Sequence, residues 1–332
     1  MAKIAVIGSG GFGISLAVMT AKNGHDVTLY SSFKDEIDLL LKERENKKLL
    51  PGIKIPEEIL LTNEENDLKN KDLLILAVPS FAVRSVAESI KDVVKENTVL
   101  ASVAKGIDDE SLERLSVILG KILPCKIVAL TGPSHAEEVA RGVATSIVAA
   151  SEDRAAAEYV QEILMNPSFR IYVNDDIVGC ELGGAFKNII ALAAGICHGL
   201  SAGDNALAAL MTRGLTEIAR LGVTLGAKEN TFAGLSGMGD LIVTCTSVHS
   251  RNHRAGFLLG QGVSAEDAIA EVGTVEGYYA TKSAYKLAKK IGVEVPIINE
   301  LYAILFEGES ASEAPMKLMS RPKKSENEEI WL

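Results

Sequence analysis

Cysteine is scarce in this chain of 332 residues, and the four present, Cys125, Cys180, Cys197 and Cys245, form no C-x-x-C pair. Their spacing excludes a disulfide framework and a metal knuckle, and a reducing compartment is the simple inference. Positive charge is also in deficit: 34 Lys and Arg stand against 44 Asp and Glu, a net charge of -10. That balance argues against nucleic acid or an anionic membrane as a general partner, so any positive charge that grips an anion must be local. No apolar run is long enough to span a bilayer, because the run from Ile189 to Ile196 meets His198, Asp204 and Asn205 too soon. The N-terminus has one lysine and a four-residue apolar run before glycine, far short of a signal segment, which predicts a cytoplasmic protein. Internal repeats and low-complexity tracts are absent as well.

What is present begins at the first residues. Lys3-Ile4-Ala5-Val6-Ile7 is a β-branched apolar run that stops at once on Gly8-Ser9-Gly10-Gly11-Phe12-Gly13, a G-x-G-x-x-G. Apolar residues at helical spacing follow, until Asn23-Gly24 supplies a stop. A strand, a glycine turn and a helix in that order bring bare backbone N–H groups and a helix N-terminus to a pyrophosphate. Gly8, Gly10 and Gly13 fit the tight turn, the close phosphate approach and the helix-on-strand packing. The unit predicts a nicotinamide dinucleotide, NAD or NADP.

Further β-then-α units continue to residue 173 and predict a Rossmann-type doubly wound sheet over residues 1–176. Ligands of such sheets bind beyond the carboxyl ends of the strands. The candidates there are Gly8 to Gly13, Ser31-Ser32, Pro79-Ser80-Phe81, Lys105-Gly106 and Gly132-Pro133-Ser134. After the second strand neither the acid that usually holds an NAD ribose nor the arginine of an NADP site is found. Ser31, Ser32 and Lys34 either hold a 2′-phosphate or form a solvated turn.

From residue 177 to 320 the pattern changes to long apolar helices, an all-helical substrate and catalytic domain, and residues 321–332 form a polar, mobile tail. The first long helix carries Lys187 on a strip of small residues, Gly183, Gly184, Ala191, Ala194 and Gly195. A lysine there is either ion-paired, with Glu181 or Asp240, or a general acid and base in a groove that admits substrate, its pKa lowered by burial. The bare strip favours the second reading. Asp240, after Gly234-Leu235-Ser236-Gly237-Met238-Gly239, is a helix cap, a partner that orients Lys187, or an acceptor for a substrate hydroxyl. Ser250-Arg251-Asn252-His253-Arg254 gathers guanidinium, hydroxyl and amide donors suited to phosphate, with a solvated basic turn as the alternative. His249 and His253 have i, i+4 spacing but no carboxylate or thiolate beside them, so no metal is assigned. His135 is expected to start a helix.

At these residues the chain resembles the NAD(P)-dependent glycerol-3-phosphate dehydrogenases of the bacterial type. The resemblance rests on the opening glycine turn, V-P-S at Val78 to Ser80, A-K-G at Ala104 to Gly106 and G-P-S at Gly132 to Ser134. It continues through E-L-x-G-A-x-K-N ending at Lys187-Asn188, G-x-G-D ending at Asp240, S-R-N at Ser250 to Asn252, and V-E-G at Val275 to Gly277. It implies that Gly11 and Phe12 lie on the cofactor, that Lys105 touches cofactor and substrate, and that Gly132, Ser134 and Ala136 line the site. Lys187 matches the catalytic proton donor and acceptor. Asp240, Ser250, Arg251 and Asn252 match substrate positions, and Arg251, Thr274 and Glu276 also reach the cofactor. The chain departs from the family at Phe12, where a bulkier aromatic is common, and at Ser31-Ser32-Phe33, where a basic residue is usual. The second departure weakens any expectation of NADP.

The implied reaction interconverts dihydroxyacetone phosphate and sn-glycerol 3-phosphate by hydride transfer, supplying glycerol 3-phosphate for phospholipid synthesis. The expected partner is that small phosphorylated three-carbon substrate, with no nucleic acid and no membrane insertion, and the apolar helices suggest a homodimer. A β-hydroxyacid or phosphogluconate-type dehydrogenase would set its lysine and asparagine a helical turn apart, whereas Lys187 and Asn188 are adjacent. A redox sensor that binds the dinucleotide without chemistry would leave Lys187 unexplained.

Overall fold

The computed structural model describes residues 1–247, 250–323 and 325–326. Strands β1 (Lys3–Ile7), β2 (Asp26–Tyr30), β3 (Leu60–Thr62), β4 (Leu73–Leu76), β5 (Val99–Ser102), β6 (Lys126–Thr131), β7 (Thr145–Ala150) and β8 (Phe169–Asn174) form one sheet. Its order is β3-β2-β1-β4-β5-β6-β7-β8, and every neighbouring pair is parallel except β6 with β7. Between them run α1 (Gly11–Lys22), α2 (Lys34–Glu43), α3 (Val83–Ile90), α4 (Leu115–Ile122), α5 (Ala136–Arg141) and α6 (Arg154–Leu164).

The strands are apolar on both faces because both faces are covered. Ile4 and Val6 of β1 and Leu73 and Ile75 of β4 pack into the core shared with α1 and α6, while Ala5, Ile7, Leu74 and Leu76 pack into the core shared with α3 and α4. β4 stops at Leu76, short of the end of its apolar run at Val78, and Pro79 then opens a 3-10 turn at Ser80–Ala82. β3 escaped the sequence reading: three residues are too few to show a period, and Leu60 at its start is half exposed.

The C-terminal part is helical: α7 (Ile177–Gly199), α8 (Asp204–Thr224), α9 (Glu229–Phe232), α10 (Asp240–Thr246), α11 (Arg251–Gly260), α12 (Ala265–Val272), α13 (Glu276–Ile291), α14 (Pro296–Tyr302) and α15 (Ala314–Met319). Asp176 caps α7, its carboxylate accepting from Gly179 N at 2.9 Å, Lys228 N at 2.8 Å and Thr231 Oγ1 at 2.6 Å. Contrary to the expectation from the sequence, α7 is long and apolar enough to cross a membrane, but 94% of its apolar window is buried inside the fold, where α8, α10, α11 and α13 pack around it. Leu182, Phe186, Ile189 and Leu192 carry that core.

α7 and α11 cross through glycine. A Cβ on Gly195 would stand 2.1 Å from His253 O, and one on Gly256 would stand 1.9 Å from Leu192 O. Both obstacles are backbone, which cannot yield as a side chain tip does. Gly256→Ala is therefore expected to destabilise by about 3 kcal/mol and to lower Tm by several degrees. Gly120→Ala, in α4 with open space around the added methyl, should instead raise stability by about 0.5–1 kcal/mol. Thermal unfolding of the two variants checks both signs.

Candidate active site

The glycine turn has the geometry its spacing predicts. Gly8 holds φ +117°, donates to Tyr30 O at 2.8 Å, and lies so close to the end of β4 that a Cβ would meet Ala77 O at 2.4 Å. Gly13 packs α1 onto the turn, where a Cβ would meet Gly8 O at 2.0 Å. Gly10 is the cap residue of α1, and nothing lies within 4 Å of the Cβ it lacks. Open space thus faces the first N–H groups of a helix that no side chain caps. A pyrophosphate fits that cradle on charge and on room. Gly11 and the half-buried Phe12 open α1, and Gly11 lies against Ala136, the first residue of α5. Ser15 Oγ ties the two helices by donating to Ala136 O at 2.7 Å.

Beyond the other strand ends, Lys105 leaves β5, and its ammonium donates to Gly132 O at 3.0 Å. Gly132, at φ +133°, turns the chain after β6, and Ser134 Oγ donates back to the same carbonyl at 3.0 Å. His135 caps α5, as expected. Pro79 is exposed, and the exposed ring of Phe81 faces Tyr279 of α13 at 6.5 Å between centroids.

The helical part meets these strand ends at Asp240. Its carboxylate is wholly buried and shared by two cations: Oδ2 accepts from Lys105 Nζ at 2.7 Å, and Oδ1 accepts from Lys187 Nζ. Lys187 Nζ also donates to Thr244 Oγ1 at 2.6 Å, and that hydroxyl in turn donates to Asp240 O. Asp240 is the first residue of α10 rather than its cap, and it pairs with Lys187. Burial pushes the Lys187 ammonium down to about 8, with the like charge of Lys105 in the same direction and the Asp240 carboxylate opposing. Glu181, the other expected partner, is instead engaged by Arg114 Nη1 at 2.7 Å and Ser116 N at 2.8 Å.

The small-residue strip of α7 needs correction. Of its three glycines, Gly184 alone faces the cleft, where a Cβ would meet Thr131 Oγ1 at 2.7 Å and Lys105 Cγ at 3.8 Å. Gly183 is filled by the backbone of Ser236 and Gly195 by α11, because a close helix crossing selects the same small residues as a substrate groove.

The basic segment is the start of α11, not a turn. Ser250 caps it, its Oγ accepting from His253 N at 3.2 Å, and Arg251 is exposed at the first helical position. Asn252 is buried and largely committed: its Oδ1 accepts from Gly277 N at 2.8 Å and its Nδ2 donates to Asn188 Oδ1 at 3.0 Å. Asn188 Nδ2 donates onward to Glu276 Oε2 at 2.9 Å. Thr274 is exposed just ahead of α13, and Glu276 opens that helix. His249 lies outside the described residues. His253 faces His198 at 2.5 Å between ring nitrogens, and no cluster of three metal-ligating side chains occurs among the described residues.

Three groups escaped the sequence reading. Thr244 was legible as the residue four after Asp240 on one helix, and Asn188 as the neighbour of Lys187. The third corrects the expectation that no acid serves the end of β2. Glu36, in the first turn of α2, returns its Oε2 to accept from Ser9 Oγ and from Ser31 Oγ at 2.9 Å. Ser31 is buried by that contact, while Ser32 is exposed.

Known proteins resemble this chain in sequence and fold. The profiles described as NAD-dependent glycerol-3-phosphate dehydrogenase N-terminus and C-terminus match residues 3–157 and 176–316. The chain is 51% identical to a glycerol-3-phosphate dehydrogenase (NAD(P)+) of Fusobacterium nucleatum over 331 residues, 98% of this chain and 99% of that one. It is 49% identical to the protein of that name in Desulfitobacterium hafniense, covering 100% of this chain and 95% of the other. The crystal structure of glycerol-3-phosphate dehydrogenase from Coxiella burnetii superposes with a TM-score of 0.93 at 36% identity, over 96% of this chain and 99% of that one.

The shared carboxylate makes an unequal prediction. Asp240→Asn leaves two buried ammonium groups without their counter-charge and should cost about 3 kcal/mol of stability. Lys187→Met leaves Asp240 paired with Lys105 and should cost about 1 kcal/mol or less. Denaturant midpoints of the two variants test the order.

Proposed function

The chain belongs to the NAD-dependent glycerol-3-phosphate dehydrogenase family, and we propose that Lys187 is the proton donor and acceptor of the reaction that membership implies. That reaction interconverts dihydroxyacetone phosphate and sn-glycerol 3-phosphate with NAD(P)H. It supplies glycerol 3-phosphate for phospholipid synthesis.

The observation that carries the residue assignment is the Asp240 carboxylate held between Lys105 and Lys187 beside Gly132 and Gly184. A bound reduced nicotinamide supplies the hydride to C2. The N–H groups at the start of α1, with Gly8, Gly10, Gly11, Phe12 and Gly13 around them, bind the pyrophosphate. Lys187 holds a proton on Nζ and delivers it to the oxygen that becomes the C2 hydroxyl; in the reverse direction the same nitrogen removes it. Asp240 keeps that nitrogen in place, and Lys105 stabilises the oxygen while negative charge develops on it. Arg251, at the exposed N-terminal end of α11, pairs with the substrate phosphate, and the helix dipole there favours the same charge. Ser250 has its hydroxyl hydrogen left to donate, and Asn252 one amide hydrogen, so Asn252 positions Asn188 and α13 as much as it grips substrate. Ser134, Ala136, Pro79, Phe81, Thr274 and Glu276 line the cofactor and substrate cleft. The same reading divides the chain at 176/177 and includes a homodimer through the helical part and a cytoplasmic location.

Two outcomes test the role of Lys187. Lys187→Ala should lower kcat by about 10²–10⁴-fold while NADH binding, followed by fluorescence titration, stays within a few-fold. Reduction needs the protonated amine, so kcat/KM for dihydroxyacetone phosphate should be full below pH 8 and fall as pH rises through about 8. Oxidation of glycerol 3-phosphate needs the free amine and should rise through the same pH. Matching slopes in the two directions would contradict the assignment.

A further inference from the structure

Glu36 occupies a position that the reaction itself does not require. The parallel strands β1 and β2 end side by side, Ile7 opposite Tyr30, and the next residue but one after β1 is Ser9 while the next after β2 is Ser31. One oxygen of the Glu36 carboxylate accepts from both serine hydroxyls, so the exposed side chain is held across the two strand ends. Its other oxygen keeps its lone pairs for a further donor. In a strand-turn-helix dinucleotide site, that corner holds the adenosine ribose.

The surrounding charge has the same sign. Glu64 and Glu65 lie close enough to Tyr30, at the end of β2, to raise its phenol pKa together with the larger effect of burial. Asp35 neighbours Glu36 in the first turn of α2, and Lys34 is the one cation in that turn. Ser31-Ser32-Phe33, which follow β2, add no positive charge.

We propose that Glu36 sets the cofactor preference of this chain: its carboxylate accepts from the 2′-hydroxyl of NAD(H) and repels the 2′-phosphate of NADP(H). The inference rests on the reading of the glycine turn as a dinucleotide site. Ser9 and Ser31 are the positioning residues, since they hold the carboxylate where the helix alone would leave it extended toward water. The acid comes from the first turn of α2 rather than from the end of β2, which is why a reading of the residues next to the strand does not find it.

The test measures dissociation constants for NADH and NADPH by calorimetry, and kcat/KM for each with dihydroxyacetone phosphate, in the unaltered protein and in Glu36→Gln. The unaltered protein should prefer NADH by about tenfold or more in both measures, because a carboxylate and a phosphate at contact repel even in a solvated corner. Glu36→Gln keeps an acceptor for the serines and should cut that preference by about tenfold, chiefly by improving NADPH. A second measurement needs no variant. Raising salt from about 0.01 M to 1 M shortens the screening length from about 30 Å to about 3 Å, so the affinity gap between the two cofactors should narrow. Equal or reversed preference in the unaltered protein, or a ratio unchanged both by Glu36→Gln and by salt, would overturn the proposal and leave the dinucleotide site standing. Failure of both cofactors to bind would remove the site and the proposal together.

Discussion

One carboxylate holds the catalytic end of this molecule together. Asp240 is wholly buried, and its two ammonium partners supply the counter-charge that a buried carboxylate needs. Lys105 comes from the sheet and Lys187 from the longest helix, so a single ion triad fixes the spacing between the two halves of the chain. Its charge is unbalanced by one unit. The surplus positive charge is the property that an alkoxide or a phosphate would neutralise, while burial is what makes the Lys187 ammonium easier to deprotonate.

Around that triad the polar groups are arranged in a second network that has little spare capacity. Asn252 accepts from the start of α13 and donates to Asn188, which donates to Glu276. These contacts run from α11 through α7 to α13, so the helix carrying Lys187 is gripped at the next residue along. A lysine on such a helix loses little rotamer freedom on forming its bonds, because its backbone has nowhere to move.

Much of the fold was legible because its signals are local. A β-branched run ending on G-x-G-x-x-G fixes a strand, a turn and a helix with no help from distant residues, and α7 begins and ends where its apolar run does. Lys187 and Asp240 stood out because a charge in an apolar or glycine-rich context is costly without a partner. What was not legible depended on tertiary contact. The glycines of α7 were read as a groove although most of them admit α11, since periodicity shows that a face is bare but not what covers it. Glu36 looked like an ordinary surface residue of an amphipathic helix until two serines, one of them 27 positions earlier, were seen to bond it. The small strand β3 and the short helices α4 and α5 gave too few residues for a period to emerge.

The enclosure of α7 also bears on how the chain is made. The sheet can pair completely once its last strand has left the ribosome, since all its strand pairings lie within residues 3–174. α7 emerges next with apolar side chains on every face, while α11, which seals one side of it, is completed roughly 60 residues later, several seconds at about 5–20 residues per second. Throughout that interval the nascent protein displays a segment that satisfies the length and hydropathy of a bilayer span. In the finished fold that segment is enclosed, with α11 closing one side of it.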